Sequence, residues 1–577
     1  MRFRLVAVAG CLAAAGCAGD LPAVSGSAQD TSGETLTTGP TTAAADTSPA
    51  SAALDTTTGA TAAVVTGGAA GCWNAPATGT GGPVALADIT APAGLVDPLL
   101  GMRGHAAAWG EVDGDGHPDL LVGTFANGPA DVYQVRGADG PAPDRLLLGS
   151  GAAFSLDEAF PAEAGIRTSG ATFADLDADG DLDLTLSRNA PLNGDPSPPS
   201  AVFRNDAGTL VQAAMFLPGA GARSIGVLDY DHDGLLDLFV VTDRFGDGDS
   251  ALLHNDGAFS FTDTTTAAGL PGDLRGLGVS VVDLTADGWP DVFVAGMNRL
   301  FVADGAGGFR EANGDVFVWE SFGDEDDVAG VATADLNRDG LPDLVVGQHY
   351  NSTLQGARVP VRVYVHRGVE DGLPRFEDVT EAAGMPGLAT KAPHVEVVDF
   401  DADGWPDILT SASAADGALP AVFRNVGPDE DGVPRLEAPP GLGNTQYWVT
   451  GGTADADRDG RLDVFVAEWD PGLPSLLLRN ESTAGHWLSV ELAGPGRGVG
   501  AVATVYEAGR VGEAPAMLGT REVVASVGYG GGSLPAVYFG LGAVTAVDVR
   551  VVAGGTVVFE GPLDVDTHHM LGGPCPA

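Results

Sequence analysis

Along most of the chain the apolar residues come in short runs, each opened by an aspartate and bounded by polar turn residues. The runs are DLLV at 119–122, DLTL at 183–186, DLFV at 237–240, DVFV at 291–294, DLVV at 343–346, DILT at 407–410 and DVFV at 463–466. Residues that are apolar on successive positions, rather than alternate ones, suit strands buried on both faces. Between these runs lie VFRND at 202–206, LLHND at 252–256, VFRNV at 422–426 and LLLRN at 476–480, which read as strands ending in polar turns. The helical period is missing, which excludes an α-solenoid.

Each apolar run follows the same acidic loop, acid-x-D/N/T-x-Asp-Gly-x-x-Asp. Seven copies start at Glu111, Asp175, Asp229, Asp283, Asp335, Asp399 and Asp455, spaced 52 to 64 residues apart. One supersecondary unit per repeat, with several strands and turns in each, predicts the blades of a β-propeller. The loop also carries chemistry. Calcium takes six to eight oxygen ligands, and positions 1, 3 and 5 of a tight loop can aim oxygens at one centre. Gly at position 6 permits the sharp corner. A carbonyl at position 7 and the Asp at position 9 can complete the shell. The candidate ligands are Glu111, Asp113, Asp115 and Asp119; Asp175, Asp177, Asp179 and Asp183; Asp229, Asp231, Asp233 and Asp237; Asp283, Thr285, Asp287 and Asp291; Asp335, Asn337, Asp339 and Asp343; Asp399, Asp401, Asp403 and Asp407; and Asp455, Asp457, Asp459 and Asp463. An EF-hand starts similarly but ends with Glu at position 12 between helices. Here position 12 is apolar or Thr and a strand follows. Asp-Gly alone makes good turns without metal, but a turn does not require Asp at both positions 5 and 9 in every copy. The fourth loop, with Thr285 at position 3, is expected to bind most weakly.

A second signature, DTTTAAGL at 263–270 and DVTEAAGM at 378–385, closes individual repeats. None follows the seventh loop, but DITAPAGL at 88–95 precedes the first. The N-terminus is therefore expected to supply the outer strand of the last blade, which seals the ring and removes an open sheet edge.

Composition agrees. The 85 glycines suit many tight turns and not long helices. A net charge of −50 disfavours nucleic acid and anionic membranes as partners and favours cations. Seven divalent ions would bring that charge to −36. At the N-terminus, MRFRLVAVAGCLAAAGC has the basic start and short apolar run of an export signal. Ala14-Ala15-Gly16-Cys17 resembles a bacterial lipobox, although Ala14 stands where Leu is usual. Lipidation at Cys17 would be the one membrane attachment; the alternative is a soluble secreted protein. Residues 18–70, rich in Ser, Thr, Ala and Gly, read as a disordered tether. Cys72 and Cys575 bracket the ordered region and could pair in an oxidising compartment.

The repeats over 85–483 resemble the FG-GAP or VCBS family, the blade type of integrin α-subunit propellers, and the resemblance implies calcium in the aspartate loops. The C-terminal part resembles the ASPIC/UnbV domain, found after such repeats in cartilage acidic proteins. It does so through NESTAGHWLSVELAG at 480–494, GVGAVATVY at 498–506, REVVASVGYGGGS at 521–533, YFGLG at 538–542 and VDVRVVAGGT at 547–556. It departs from that family at 496–501 and at 552–555, where a fuller Asn-Arg-x-Gly-Ile-Gly-Ala and a Trp-Pro-x-Gly are usual. The expected architecture is all-β. A signal (1–17) and tether (18–70) precede a seven-bladed propeller (71–483) and a small β-sandwich-like domain (484–577).

No G-x-S-x-G elbow, H-E-x-x-H or phosphate loop occurs. His105, His349 and His394 fall near the blade loops and could line the channel; His568 and His569 read as solvated. The expected function is an exported, non-enzymatic calcium-binding scaffold that binds protein or glycan at a bacterial cell surface. The alternative is an exported polysaccharide lyase or hydrolase using His105, His349, Tyr350 or His394.

Overall fold

The computed structural model describes residues 68–576, apart from 127, 152, 191–196, 247, 313–315, 317–327, 350–357, 415–418, 441 and 443–445. The expected signal and the expected tether up to residue 67, with Cys17, lie outside the described residues, as does Tyr350; the tether's last residues, Ala69 and Ala70, are not a tether but begin a strand.

Each acidic loop joins two neighbouring antiparallel strands of a sheet, and seven such sheets are present among the described residues: six are four-stranded, and the first has four strands of its own plus two short strands added from the C-terminal part. In the first, Gly104–Gly110 runs into Glu111–Pro118 and returns as Asp119–Thr124. Arg145–Gly149 and Phe154–Leu156 complete it. The first two strands of this sheet are buried throughout, as expected for runs apolar on both faces. Neighbouring sheets pack face to face around shared cores. Leu121, Leu146 and Ala108 of the first meet Phe173, Leu184 and Phe203 of the second. The same kind of layer joins each later sheet to the next, and the last returns to the first through Phe465, Leu477, Trp109 and Leu120.

The ring is closed by the N-terminus. Leu86–Asp88 pairs antiparallel with Leu476–Asn480, so the outer strand of the last sheet precedes the first sheet in sequence. Thr90 Oγ1 then accepts the Leu477 amide across the same junction at 2.9 Å.

Two further four-stranded sheets form a C-terminal sandwich. Leu488, Val490, Val505, Val537, Phe539, Val549 and Val551 fill its core. Two boundaries differ from the sequence expectation. Ala69–Asn74 joins this sandwich rather than the propeller, pairing with Thr567–Leu571, and the Cys72–Cys575 disulfide lies beside that pairing. Conversely, Ser526–Gly532 of the C-terminal part leaves the sandwich and enters the propeller: Gly531 and Gly532 pair parallel with Ala107 and Ala108, and Gly528 bridges Val331. The run GYGGGS suits that path for a steric reason. At Gly528 and Gly530 φ is +59° and +65°, a region non-glycine residues adopt at a cost of roughly 1–2 kcal/mol. A Cβ there would also lie 2.3 Å from His394 Nδ1 and 2.5 Å from the Ser169 carbonyl respectively.

Candidate metal centres and the two ends of the channel

The second to seventh loops share one hydrogen-bond plan, written by their spacing, whereas in the first Glu111 accepts the Gly114 amide. In the second, Asp175 at position 1 accepts the amides of Asp179 (3.1 Å) and Gly180 (3.2 Å), which draws positions 5 and 6 over it. Asp179 at position 5 accepts the amide of Asp181. Position 4 is left-handed in every loop, at Gly114, Ala178, His232, Ala286, Arg338, Ala402 and Arg458. Only the first loop spends a glycine there, so nothing in the residue pattern signals it.

Position 9 has a role beyond a candidate ligand. Asp119, Asp183, Asp237, Asp291, Asp343, Asp407 and Asp463 are all buried. In the first six loops one oxygen accepts the position-2 amide, as from Val112 at 2.8 Å and Leu336 at 2.9 Å. In all seven loops an oxygen accepts an amide from the third strand or its end, as from Gly149 and His366, both at 2.8 Å. This aspartate ties loop, second strand and third strand together. Burial among other carboxylates pushes its pKa up, to about 7 at Asp119 and Asp183 and about 8 at Asp291.

The asparagines that end the third strands also do more than turn the chain. Asn205, Asn255, Asn425 and Asn480 are buried, and their side-chain amides donate to Val112, Leu176, Leu336 and Phe400, carbonyls at position 2 of the preceding loop. His366 takes that place in the fifth sheet, reaching the Leu284 carbonyl at 3.0 Å.

Carboxylate oxygens converge within 4.8 Å of one another in the sets Glu111–Asp113–Asp115, Asp175–Asp177–Asp183, Asp229–Asp231–Asp233 and Asp399–Asp401–Asp407. Asp177 Oδ1 and Asp457 Oδ1, at position 3 of the second and seventh loops, are buried without a hydrogen-bond partner. An oxygen-only donor set with orphaned, buried carboxylate oxygens fits a hard divalent cation. The other loops are less uniform. Arg424 places its guanidinium across Asp401 (2.6 Å) and Asp403, an internal cation in the sixth loop. His254 Nδ1 lies 3.2 Å from Asp237 and 3.6 Å from Asp231, bringing nitrogen to the third. Thr285 Oγ1 donates weakly to Asp283 at 3.5 Å, and Asn337 donates to Asp339 at 3.0 Å. His254 and Arg424 were visible in LLHND and VFRNV, but nothing in the spacing said that they face the loops.

The C-terminal sandwich sits on the loop end of the propeller. Gly496 donates to Asp175 Oδ2 (3.0 Å), the Asp283 amide to Glu522 (2.9 Å), Arg521 to the Val397 carbonyl (3.0 Å), and the Tyr538 hydroxyl to the Gly460 carbonyl (2.9 Å). A cavity of about 300 Å³ remains between them, lined in part by Asp283, Asp335, Asp455 and Glu522. From this end Ser526–Gly532 descends the channel and presents Tyr529, 2% exposed, against Leu277, Ala329 and Val449.

His105 and His394 both meet this plug. The His394 ring accepts the Tyr529 amide at 3.3 Å and lies 3.6 Å from Glu396. His105 stacks on Phe125 (4.4 Å between ring centres), lies edge-on to Tyr529, and sits 2.8 Å from Arg223. Burial, then the Arg223 charge, holds its imidazole well below the usual value. His349 lies 6.4 Å from Tyr529. His569 is buried, with Nε2 2.9 Å from the Asp564 carbonyl, and His568 lies 3.0 Å from Ser489, so neither is the solvated residue expected.

Among known proteins, FG-GAP-like repeats match at 229–294, 283–346 and 399–466, and an FG-GAP repeat at 328–366. Cartilage acidic protein 1 of Mus musculus and of Homo sapiens are each 28% identical over 297 residues, 46% of this chain. The chain spans 42% and 41% of those relatives' own lengths, less than half. Among solved structures, an Agrocybe aegerita lectin recognising non-reducing terminal N-acetylglucosamine has TM-score 0.36 and 18% identity, over 64% of this chain and 86% of that one. An α-L-arabinofuranosidase of Fusarium graminearum has TM-score 0.36 and 10% identity (66% and 93%), and the Dos1 propeller 0.34 and 12% (66% and 84%). The chain thus carries FG-GAP-like repeats over 229–346 and 399–466, within an all-β, propeller-like fold of sheets joined by acidic loops.

Proposed function

We propose that the protein is an exported, calcium-binding propeller scaffold that binds a protein or glycan ligand and carries out no catalysis. The carrying observation is the set of converging carboxylate oxygens in the repeat loops, with buried Asp177 Oδ1 and Asp457 Oδ1 lacking a partner. The residues at positions 1, 3, 5 and 9 would hold up to seven calcium ions. When bound, calcium supplies positive charge that relieves repulsion among carboxylates; the aspartates themselves orient the loop by accepting its amides. The Cys72–Cys575 disulfide supports an oxidising compartment, and the basic-apolar start of the chain supports export, with or without lipid at Cys17. The lyase or hydrolase reading has less support, since His105 and His394 are engaged by the channel plug and its neighbours.

The test is a count of bound calcium on the native chain, with melting curves before and after thorough chelation. Several equivalents bound, and a lower melting temperature without them, are expected, because a ligand of the folded state alone stabilises it. An unchanged melting curve would defeat the calcium assignment.

A further inference from the structure

The third strands of the second, sixth and seventh sheets carry the same Arg-Asn pair, at Arg204-Asn205, Arg424-Asn425 and Arg479-Asn480. The backbone amide of each asparagine donates to the position-9 aspartate of its own sheet, so the three arginines stand at equivalent places beside their loops. Their side chains go different ways. Arg204 pairs with Asp206, with Nε 2.6 Å from Oδ1, and Arg479 pairs with Glu481, in each case the acid just after the asparagine. In the sixth sheet that position is Val426. Glu437 stands opposite Arg424 in the sheet register, yet the guanidinium turns inward. Its Nε lies 2.6 Å from Asp401 Oδ2 at position 3, and its Nη2 meets Asp403 Oδ2 at position 5.

The loop it enters is enclosed. The converging set Asp399–Asp401–Asp407 is buried throughout, whereas the sets in the first, second and third loops each keep a half-buried or exposed member. The N-terminal segment lies over it: Gly82 donates to Asp401 Oδ2 at 2.9 Å, and a Cβ at Gly81 would lie 2.5 Å from the Asp403 Cβ. The sandwich presses from another side, Gly485 donating to the Asp401 carbonyl (2.9 Å) and Gly542 to the Ala402 carbonyl (2.8 Å). Inside, every carboxylate oxygen already accepts a donor. Asp399 takes the amides of Asp403 and Gly404, and Asp407 takes those of Phe400 and Asn425. One oxygen of Asp401 takes the Asp403 amide, and the other takes Gly82 and Arg424. Asp403 takes the Trp405 amide and Arg424. By contrast, Asp177 Oδ1 and Asp457 Oδ1, at position 3 of the second and seventh loops, have no partner.

We infer that the sixth loop is a calcium-independent corner of the ring, in which the Arg424 guanidinium bridges positions 3 and 5 in place of a metal ion. A guanidinium and a calcium ion compete for the same carboxylate lone pairs and repel each other. A buried group of carboxylates requires a cation beside it, and here the chain supplies its own. The inference deepens the calcium reading and rests on it, lowering the ceiling from seven ions to six. It also gives the loop's position a purpose. The incoming N-terminal segment and the sandwich both attach at this corner, so the joint stays tied when calcium is scarce.

Equilibrium dialysis of the full chain against calcium, followed by metal analysis, counts the bound ions for the parent, for Asp179→Ala in the second loop and for Asp403→Ala in the sixth. Asp179→Ala is expected to lose one ion and Asp403→Ala none. Loss of an ion in Asp403→Ala would overturn the inference. A second measurement needs no metal. In chelator, Arg424→Gln should melt about 3 °C or more below the parent, because removing one partner strands buried charge. Arg204→Gln, whose arginine pairs at the exposed surface, should melt with the parent. An Arg424→Gln curve equal to the parent's in chelator would equally overturn the inference. A parent that binds no calcium defeats the calcium assignment itself, and with it this division among the loops. A parent that binds several ions and loses one with Asp403→Ala defeats this inference alone.

Discussion

The loops combine a folding role and a metal role in neighbouring aspartates, and substitutions at two positions of the fifth loop separate them. Asp343 at position 9 is fully buried and accepts the amides of Leu336 at 2.9 Å and His366 at 2.8 Å. Asp343→Ala strands two buried backbone donors, at about 1–3 kcal/mol each, so a loss of roughly 4 kcal/mol is expected even without metal. Asp343→Asn keeps one acceptor and turns an NH2 toward the other donor, for about 2 kcal/mol. Asp339 at position 5 is exposed and accepts the Leu341 amide at 3.0 Å. Its replacement by Ala should cost less than about 1 kcal/mol in chelator, as for other exposed sites, while removing that loop's share of calcium-dependent stabilisation. Urea denaturation of the four proteins, in chelator and in millimolar calcium, makes the comparison. If Asp343→Ala in chelator falls within about 1 kcal/mol of the parent, the tie is not structural. If Asp339→Ala in chelator is as damaging as Asp343→Ala, the division of labour is wrong.

Three other outcomes follow from the geometry. Cys72→Ser with Cys575→Ser opens a link across a sequence separation of 503; a loss of about 2–4 kcal/mol by urea denaturation is expected, and an unchanged midpoint would refute it. Gly530→Ala puts a Cβ 2.5 Å from the Ser169 carbonyl at a φ of +65°, for about 2–4 kcal/mol from strain and overpacking combined. A melting curve equal to the parent's would show that the plug is not held as described. Burial lifts the Glu468 carboxyl to about 7 and the Asp144 carboxyl to about 6. The folded state then keeps protons that the unfolded state releases near pH 4, so stability at saturating calcium should fall as pH rises from about 4 to 7. Glu468→Gln should flatten that slope; a slope unchanged in the variant counts against Glu468 as a source.

Much of the architecture was legible because spacing is a backbone property. Acids at positions 1, 5 and 9 around Gly at position 6 can be read from letters, and so could the displaced outer strand, since DITAPAGL precedes the first loop while its partner LLLRN ends the last repeat. What stayed hidden depended on long-range neighbours. Asn205 and Asn480 look like ordinary turn residues until the carbonyls of the preceding loop are in place. Arg424 and His254 sit on exposed-looking strand ends, and only the fold turns them toward the acids. Ser526–Gly532 has the alternating look of another sandwich strand. Its glycines are explained by walls built from Ser169, Val331 and His394, hundreds of residues upstream.

The pairing of Leu86–Asp88 with Leu476–Asn480 imposes an order on biogenesis. Until residue 480 has been synthesised, the earliest-made propeller strand has no partner, and the nascent arc presents two unprotected edges. Such long-range pairing slows folding and prolongs exposure to aggregation. The channel segment arrives later still, into an annulus that must already be nearly round. Premature release from the ribosome near residue 450 would therefore yield an open, sticky crescent rather than a smaller functional wheel.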